Sequence, residues 1–171
     1  MSNADEIVPG LWLGNMNASQ DDVFLNTKDV HAVFNCTKTI PFIVRIPKKY
    51  RLPVDDNLQE EEIRNMELWS FEVVYKLIQE LKEGPVLVHC HAGVQRSAAV
   101  VAMYLIATKG MKTEEAIDYI KERRPIAFTH QANFLRAIQG FEKMFDRDIR
   151  PRLASTGSDL FLARHLTGNP K

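Results

Sequence analysis

The sequence predicts an α/β fold with a central, mostly parallel sheet of four to five strands and helices on both faces. Short apolar segments typical of strands alternate with longer segments whose apolar residues recur at helical spacing, and a run of helices follows. With 171 residues, the chain is long enough for one domain to bury a full core.

Four strands are predicted from short apolar runs. They lie at Leu11–Leu13, His31–Cys36, Tyr50–Val54 and Val86–His89. A glycine-containing loop and then a helical pattern follow the last of them, so this loop is expected to join a strand to a helix N-terminus.

The first two helices are predicted between these strands. Ser19–Asp22 is typical of a helix start. A second helix ends at Gly84-Pro85, and its apolar stripe consists of Phe71, Val74, Leu77, Ile78 and Leu81.

Three further helices are predicted after the glycine loop. Ser97–Lys109 is apolar almost all round, which favours a buried helix that stops at Gly110. Thr113 is expected to cap a helix that runs to Arg124, before Pro125. The apolar stripe of the last helix consists of Phe134, Leu135, Ile138, Phe141 and Phe145.

We place one domain at residues 5–146 and a C-terminal tail at 147–171. From Asp146 the composition changes to arginines and a proline, followed by the linker-like Ser155–Ser158. Asp159–Leu166 carries apolar residues at a spacing that would suit a short helix. Chain termini are commonly only partly ordered. The alternative is an arm that docks on the domain or on a second copy, which would allow a homodimer.

Composition argues against several classes of protein. The formal net charge is zero, which disfavours nucleic acid as a partner. The two cysteines, Cys36 and Cys90, are too few for a disulfide framework and fit a reducing compartment. The polar start Met1–Glu6 is unlike a secretory signal, and the run Ala98–Ala107 is about half as long as a membrane span. We therefore expect a cytoplasmic protein, with the nucleus as an alternative, and no membrane partner.

The most informative motif is the segment His89–Ser97, with the sequence His-Cys-His-Ala-Gly-Val-Gln-Arg-Ser. A strand that ends in a tight loop before a helix N-terminus binds anions, because backbone N–H groups converge there and the helix dipole adds positive charge. A cysteine at the floor of such a loop has a lowered pKa. Arg96 supplies a fixed, charged fork that suits two phosphate oxygens. The motif therefore indicates a nucleophile that faces a bound phosphate.

The pattern His-Cys-x-x-Gly-x-x-Arg-Ser resembles the signature loop of the cysteine-dependent protein tyrosine phosphatase superfamily. Over roughly residues 6–145 the chain resembles the dual-specificity branch: Ile7–Asn15 is similar to its opening hairpin, Ala32–Cys36 to its second strand and Leu52–Asn57 to its general-acid loop. The resemblance implies a protein phosphatase that hydrolyses phosphotyrosine, phosphoserine and phosphothreonine in phosphoprotein substrates through a phosphocysteine, without a cofactor.

Within the motif, we expect Cys90 to attack phosphorus and Arg96 to bind the phosphate and stabilise the transition state. Ser97 is expected to hydrogen-bond the Cys90 sulfur. The resemblance implies that His89 organises the loop from behind. The residues expected to bind substrate in the loop are His91, Ala92, Gly93, Val94 and Gln95.

The triplet His89-Cys90-His91 raises the question of a metal site, and we predict none. A structural zinc site requires four ligands in paired clusters, and the rest of the chain offers few candidates. The remaining ones are His31, Cys36, His130 and His165.

A general acid must reach the loop from another segment. The resemblance points to Pro-x-x-Asp, which begins at Pro53 and selects Asp56, with Asp55 as the fallback. A merely polar turn is the alternative for this pair. The glutamate-rich segment Asn57–Met66 is expected to be longer than usual before the next helix, so that the acid loop differs in shape or mobility.

The resemblance also implies that Arg124 contacts substrate. The alternative is that Arg124, like Arg123 before it, is a cation that interacts favourably with the dipole at a helix C-terminus. The following Thr129–Gln131 departs from the Pro-Asn usual in the family, where this segment supports the acid loop.

Three other functions compete with protein dephosphorylation. An RNA 5′-triphosphatase on the same fold has a different loop sequence, and the neutral charge offers RNA little. A phosphoinositide phosphatase would favour lysines within the loop, and this loop has none. A non-catalytic phosphate-binding module typically loses the cysteine or the arginine, and both are present here.

Overall fold

The computed structural model describes residues 2–152. Its sheet contains β1 (Ala4–Val8), β2 (Leu11–Gly14), β3 (Ala32–Asn35), β4 (Lys48–Arg51) and β5 (Val86–His89), in the spatial order β1-β2-β5-β3-β4. Only β1 is antiparallel to its neighbour, and the other pairs are parallel. The predicted mostly parallel sheet is confirmed.

The bounds of β4 differ from the prediction of Tyr50–Val54. Lys48 and Lys49 pair with Ala32 and Val33, so the strand begins with two exposed lysines. β4 lies at the edge of the sheet, where charged side chains reach water and discourage pairing with another chain. An edge strand tolerates charged residues because one of its sides is unpaired and faces water. The apolar pattern therefore misplaced the start of β4.

The helices are α1 (Met16–Ser19), α2 (Asp22–Thr27), α3 (Glu60–Glu83), α4 (Arg96–Lys109), α5 (Thr113–Arg123) and α6 (Leu135–Met144), and a π-helical turn follows at Phe145–Ile149. Asp21 caps α2 by accepting a hydrogen bond from the Phe24 backbone N–H. The helix that was predicted behind the glycine loop is α4, and it ends at Gly110 as expected. None of the helices described is long and apolar enough to span a membrane.

The prediction of a long loop over Asn57–Met66 is wrong. Helix α3 already begins at Glu60, and its first turn contains Glu60, Glu61 and Glu62. Negative charges at this position stabilise a helix because they interact favourably with the dipole and the free N–H groups. The glutamates therefore start a helix, and the segment that precedes it is short.

The helical region at the C-terminal end continues through the π turn to Arg152, beyond the boundary placed at residue 146. Phe145 and Ile149 are 1% and 4% exposed, so this extension packs on the core. The helix predicted at Asp159–Leu166 lies outside the described residues.

Strand β5 lies at the centre of the sheet, and all of its residues are buried. Leu87 faces a smaller core beside Ala18 and Leu25 of α1 and α2, whereas Val86 and Val88 face the larger core, which the other helices cover. Helices therefore cover both faces, as predicted. This burial fixes the end of β5 and the start of α4, and the loop between them opens at the carboxyl edge of the sheet.

Candidate active site

Residues 90–95, which we call the anion loop, connect β5 to α4. Gly93 has a φ of +69°, and a Cβ atom there would lie 2.6 Å from the Gly14 backbone. A side chain at this position would both strain the backbone and collide with β2. The glycine singled out in the sequence is thus required by the closeness of the loop to the neighbouring strand.

The carbonyl groups of the anion loop are bound by donors outside it. Met16 N donates to His91 O (2.9 Å) and Phe128 N donates to Val94 O (2.9 Å). The Arg124 guanidinium donates to Ala92 O (3.2 Å) and Gly93 O (2.8 Å). With these carbonyls turned outward, the backbone N–H groups are left to face the enclosed side, as an anion-binding loop requires.

Cys90 lies at the base of this loop and is 2% exposed. Its Sγ is 3.1 Å from Ser97 Oγ, which is the predicted contact. Burial acts to raise the pKa of Cys90, but hydrogen bonds from Ser97 and Gly93 and the charge of Arg96 outweigh it, so the pKa lies below the ordinary thiol value. The thiolate is therefore easier to form here than at an ordinary cysteine.

The other cysteine, Cys36, behaves in the opposite way. It is fully buried at the end of β3, and burial, with the nearby Cys90, raises its pKa well above the ordinary thiol value. Cys36 thus remains a neutral thiol in the core.

Arg96 begins α4 and links the anion loop to the acid loop (Leu52–Asn57). Its Nη1 donates to Val54 O at 3.1 Å. Its Nε is buried and has no hydrogen-bond partner within residues 2–152. Since a buried donor without a partner is costly, this nitrogen is suited to bind an oxygen of an incoming oxyanion.

His89 supports the loop from behind, in the position predicted for it. Its Nδ1 donates to Cys90 O at 3.1 Å, and the ring is 0% exposed. Burial lowers the pKa of His89 to about 4, with smaller contributions from Arg51 and Arg96. The ring is therefore neutral near pH 7.

The two aspartates of the acid loop have different partners. The Asp55 carboxylate pairs with Lys38 at 3.1 Å, and its backbone N–H donates to Glu62 Oε1 at 3.0 Å. Asp56 is exposed, and its Oδ1 accepts a hydrogen bond from Asn133 Nδ2 at 2.9 Å. The Asp55 carboxylate is thus engaged in an ion pair with Lys38. The Asp56 carboxylate bonds Asn133 through Oδ1, which leaves Oδ2 available.

The prediction that Arg124 binds substrate is wrong. Its side chain is fully buried, and besides the two loop carbonyls it bonds Ser2 O (3.1 Å) and the Asp5 carboxylate (2.7 Å). A guanidinium with these partners has no access to a substrate. Its placement one residue past the end of α5, where Ile120 O accepts its backbone N–H, turns the side chain toward the anion loop.

Gln95 also differs from its predicted role. It is 7% exposed, and its amide bonds the backbone of residues 131 and 133 instead of facing the loop interior. His91 and Ala92 are exposed at the rim, where substrate contact was predicted, and Val94 is partly exposed. Sequence reasoning missed Asn133 as a partner of Asp56, and no local pattern signals it.

Across residues 2–152, no group of three or more histidine, cysteine, aspartate or glutamate side chains is arranged to hold a metal ion. His91 is exposed, while His89 is buried and bonds the Cys90 carbonyl. The two histidines of the triplet therefore lie in different environments.

The geometry agrees with comparisons against known proteins. Residues 11–144 match the family model described as the dual specificity phosphatase catalytic domain. The chain belongs to this family. It is 36% identical over 124 residues to mouse dual specificity protein phosphatase 2, covering 71% of this chain and 37% of that protein.

Two further relatives show the extent of the similarity. The Caenorhabditis elegans tyrosine-protein phosphatase vhp-1 is 29% identical over 147 residues, covering 83% of this chain and 22% of that protein. The crystal structure of human DUSP28 superposes with a TM-score of 0.74 at 24% identity, covering 85% of this chain and 97% of that one. The chain thus spans well under half the length of the first two relatives, and the third supports the fold.

Replacing Arg124 should destabilise the domain and lower kcat together. Arg124→Met leaves the Asp5 carboxylate and the carbonyls of Ala92 and Gly93 without their donor, and a buried acceptor left without a partner costs about 1–3 kcal/mol. Urea unfolding and Michaelis kinetics on an aryl phosphate measure both effects. Arg123→Met, at the exposed neighbouring arginine, is the control and should change neither. An unchanged unfolding free energy with only a raised KM would show that Arg124 contacts substrate.

His89 should make the domain less stable in mild acid. The pKa of His89 is lowered from 6.5 to about 4, so between these values the unfolded chain binds a proton that the folded chain does not. The free energy of unfolding should therefore decrease as the pH falls from about 6.5 to about 4, by up to about 3 kcal/mol from this group. Urea unfolding from pH 7 to 4.5 should show a shallower decrease for His89→Asn. Equal slopes for the two proteins would contradict this assignment.

Proposed function

We propose that this chain is a protein phosphatase that hydrolyses phosphotyrosine, phosphoserine and phosphothreonine through a phosphocysteine intermediate. The observation that carries the proposal is the anion loop with its carbonyls bound outward around a buried, low-pKa Cys90. Family membership supports it, as do relatives named as dual-specificity and tyrosine phosphatases. Phosphoproteins in a reducing, cytoplasmic compartment are the substrates we expect.

In the first step, the Cys90 thiolate attacks phosphorus on the side opposite the leaving oxygen. The S–P bond forms, the P–O bond to the substrate breaks, and Asp56 donates its proton to the departing oxygen. The loop N–H groups and the free Nε of Arg96 bind the equatorial oxygens as their charge develops. No metal is required by this scheme, because backbone and arginine donors supply the positive charge.

In the second step, water attacks the phosphorus of the phosphocysteine. The Asp56 carboxylate accepts a proton from this water while the S–P bond breaks. The Ser97 hydroxyl, 3.1 Å from Sγ, stabilises the departing thiolate. Inorganic phosphate is released, and the proton taken from water leaves Asp56 protonated for the next turnover.

Cys90→Ser should abolish turnover and retain phosphate binding, since a serine hydroxyl is almost never ionised near neutral pH. Cys36→Ser is the matched control, because it makes the same replacement at a cysteine that stays a neutral thiol in the core, and it should retain turnover. The assay measures phosphate release from phosphotyrosine peptide, phosphothreonine peptide, 5′-triphosphate RNA and a phosphoinositide, with and without EDTA. Peptide turnover that persists in Cys90→Ser, or that requires a divalent metal, would refute the mechanism. A preference for RNA or phosphoinositide would refute the substrate class.

Asp56→Asn should slow substrates with poor leaving groups by about 10²–10⁴-fold, the usual contribution of a general acid. An aryl phosphate with a strongly acidic phenol should be much less affected, because that phenol departs without a proton. Asp55→Asn is the control, since the Asp55 carboxylate pairs with Lys38 and should not donate the proton. Measuring kcat against leaving-group pKa distinguishes the two aspartates. If Asp55→Asn produced the larger slope change, the acid would be Asp55.

A further inference from the structure

We propose that Gln95 and Asn133 form a positioning relay that aligns Asp56 with the anion loop. The proposal rests on the function proposed above for Asp56. The relay runs from the Gln95 amide to the backbone of residues 131–133, and from the Asn133 side chain to the Asp56 carboxylate. Neither Gln95 nor Asn133 is expected to touch the substrate.

Gln95 anchors the relay in the anion loop. Its Nε2 donates to Gln131 O at 2.7 Å, and its Oε1 accepts from Asn133 N at 2.8 Å. A primary amide that donates at one end and accepts at the other has its orientation fixed. Because the side chain is buried, these bonds exchange little with water, and the backbone of residues 131–133 moves with the anion loop.

Asn133 connects this anchored backbone to the acid. Its Nδ2 donates to Asp56 Oδ1 at 2.9 Å, while its Oδ1 accepts from Gln131 Nε2 at 3.2 Å. The opposite amide orientation would place oxygen against the carboxylate and nitrogen against the Gln131 donor, so both neighbours select the same orientation. With Oδ1 of Asp56 accepting this bond, Oδ2 is the oxygen left to carry the proton.

The need for such a relay follows from the exposure of Asp56. The loop that carries this residue is bound through its neighbours, by Arg96 at Val54 O and by Lys38 and Glu62 at Asp55. These contacts place the backbone, but they do not fix the torsions of the Asp56 side chain. A misplacement of about 1 Å at a reacting group can cost about 10²-fold in rate. The bond from Asn133 supplies the missing orientation.

Asn133→Ala should lower kcat by roughly 10- to 100-fold on substrates with poor leaving groups, with KM unchanged. The rate on an aryl phosphate with a strongly acidic phenol should stay within about twofold, because proton donation contributes little there. Gln139→Ala is the control, since it removes an exposed amide from helix α6, which follows Asn133 in the chain, and it should change neither rate. Thermal melting checks folding, and Asn133→Ser, which is too short to reach Asp56, gives a second variant with the same expected result.

A double-mutant cycle with Asp56→Asn separates the relay from the proposed acid. In the Asp56→Asn background, Asn133→Ala should slow no substrate further, because Asn133 acts only through the Asp56 proton. Gln95→Met, which removes both amide bonds at similar volume, should slow poor leaving groups more than activated ones. If Asn133→Ala has no effect, or slows all substrates equally, the relay is refuted. If Asp56→Asn itself shows no leaving-group dependence, the proposed acid is refuted instead.

Discussion

The anion loop depends on donors that bind its carbonyl groups from outside. His89 binds Cys90 O, Met16 binds His91 O, and Phe128 binds Val94 O, while Arg124 alone binds the two carbonyls between them. If these carbonyls faced inward, their partial negative charge would repel a phosphate and raise the pKa of Cys90. The low thiol pKa and the anion site therefore share one cause, the outward orientation of the peptide groups.

Arg124 extends this dependence to the N-terminal hairpin. Its guanidinium bonds the Asp5 carboxylate and Ser2 O in addition to the loop, so β1 and the residue Ser2 before it complete the coordination of a buried cation. A buried charge is tolerated only when its hydrogen-bonding groups are satisfied. The hairpin thus contributes to the site through the stability of Arg124.

The acid loop is held in place at three points, two of which lead to the anion loop. Arg96 holds Val54 O, Lys38 and Glu62 hold Asp55, and Asn133 holds Asp56. The Arg96 bond comes from the first residue of α4, directly after the anion loop. The Asn133 bond is linked to the anion loop through Gln95. This division leaves Asp55 as a structural residue and Asp56 as the group available for proton transfer.

The sequence by itself determined the features that depend on neighbouring residues. The strand β5, the loop with Cys90 and Gly93, and the buried helix α4 follow from local hydrophobic patterns, a glycine and a helix start. The fold class followed from the alternation of such segments, and the choice of Cys90 over Cys36 followed from its surroundings in the motif. By contrast, local pattern misplaced β4, because one unpaired edge lets charged residues enter a strand, and it treated the first turn of α3 as loop.

Only the tertiary structure decided the roles of Arg124, Gln95 and Asn133. Each makes its decisive bonds to residues far along the chain: Arg124 to Gly93 and Asp5, separated by 31 and 119 positions, and Asn133 to Asp56, separated by 77. A helix-end arginine and a loop asparagine are compatible with many partners, and no local spacing selects among them. Their roles are fixed by burial and by the carbonyl and carboxylate acceptors that folding brings within hydrogen-bond distance of their side chains.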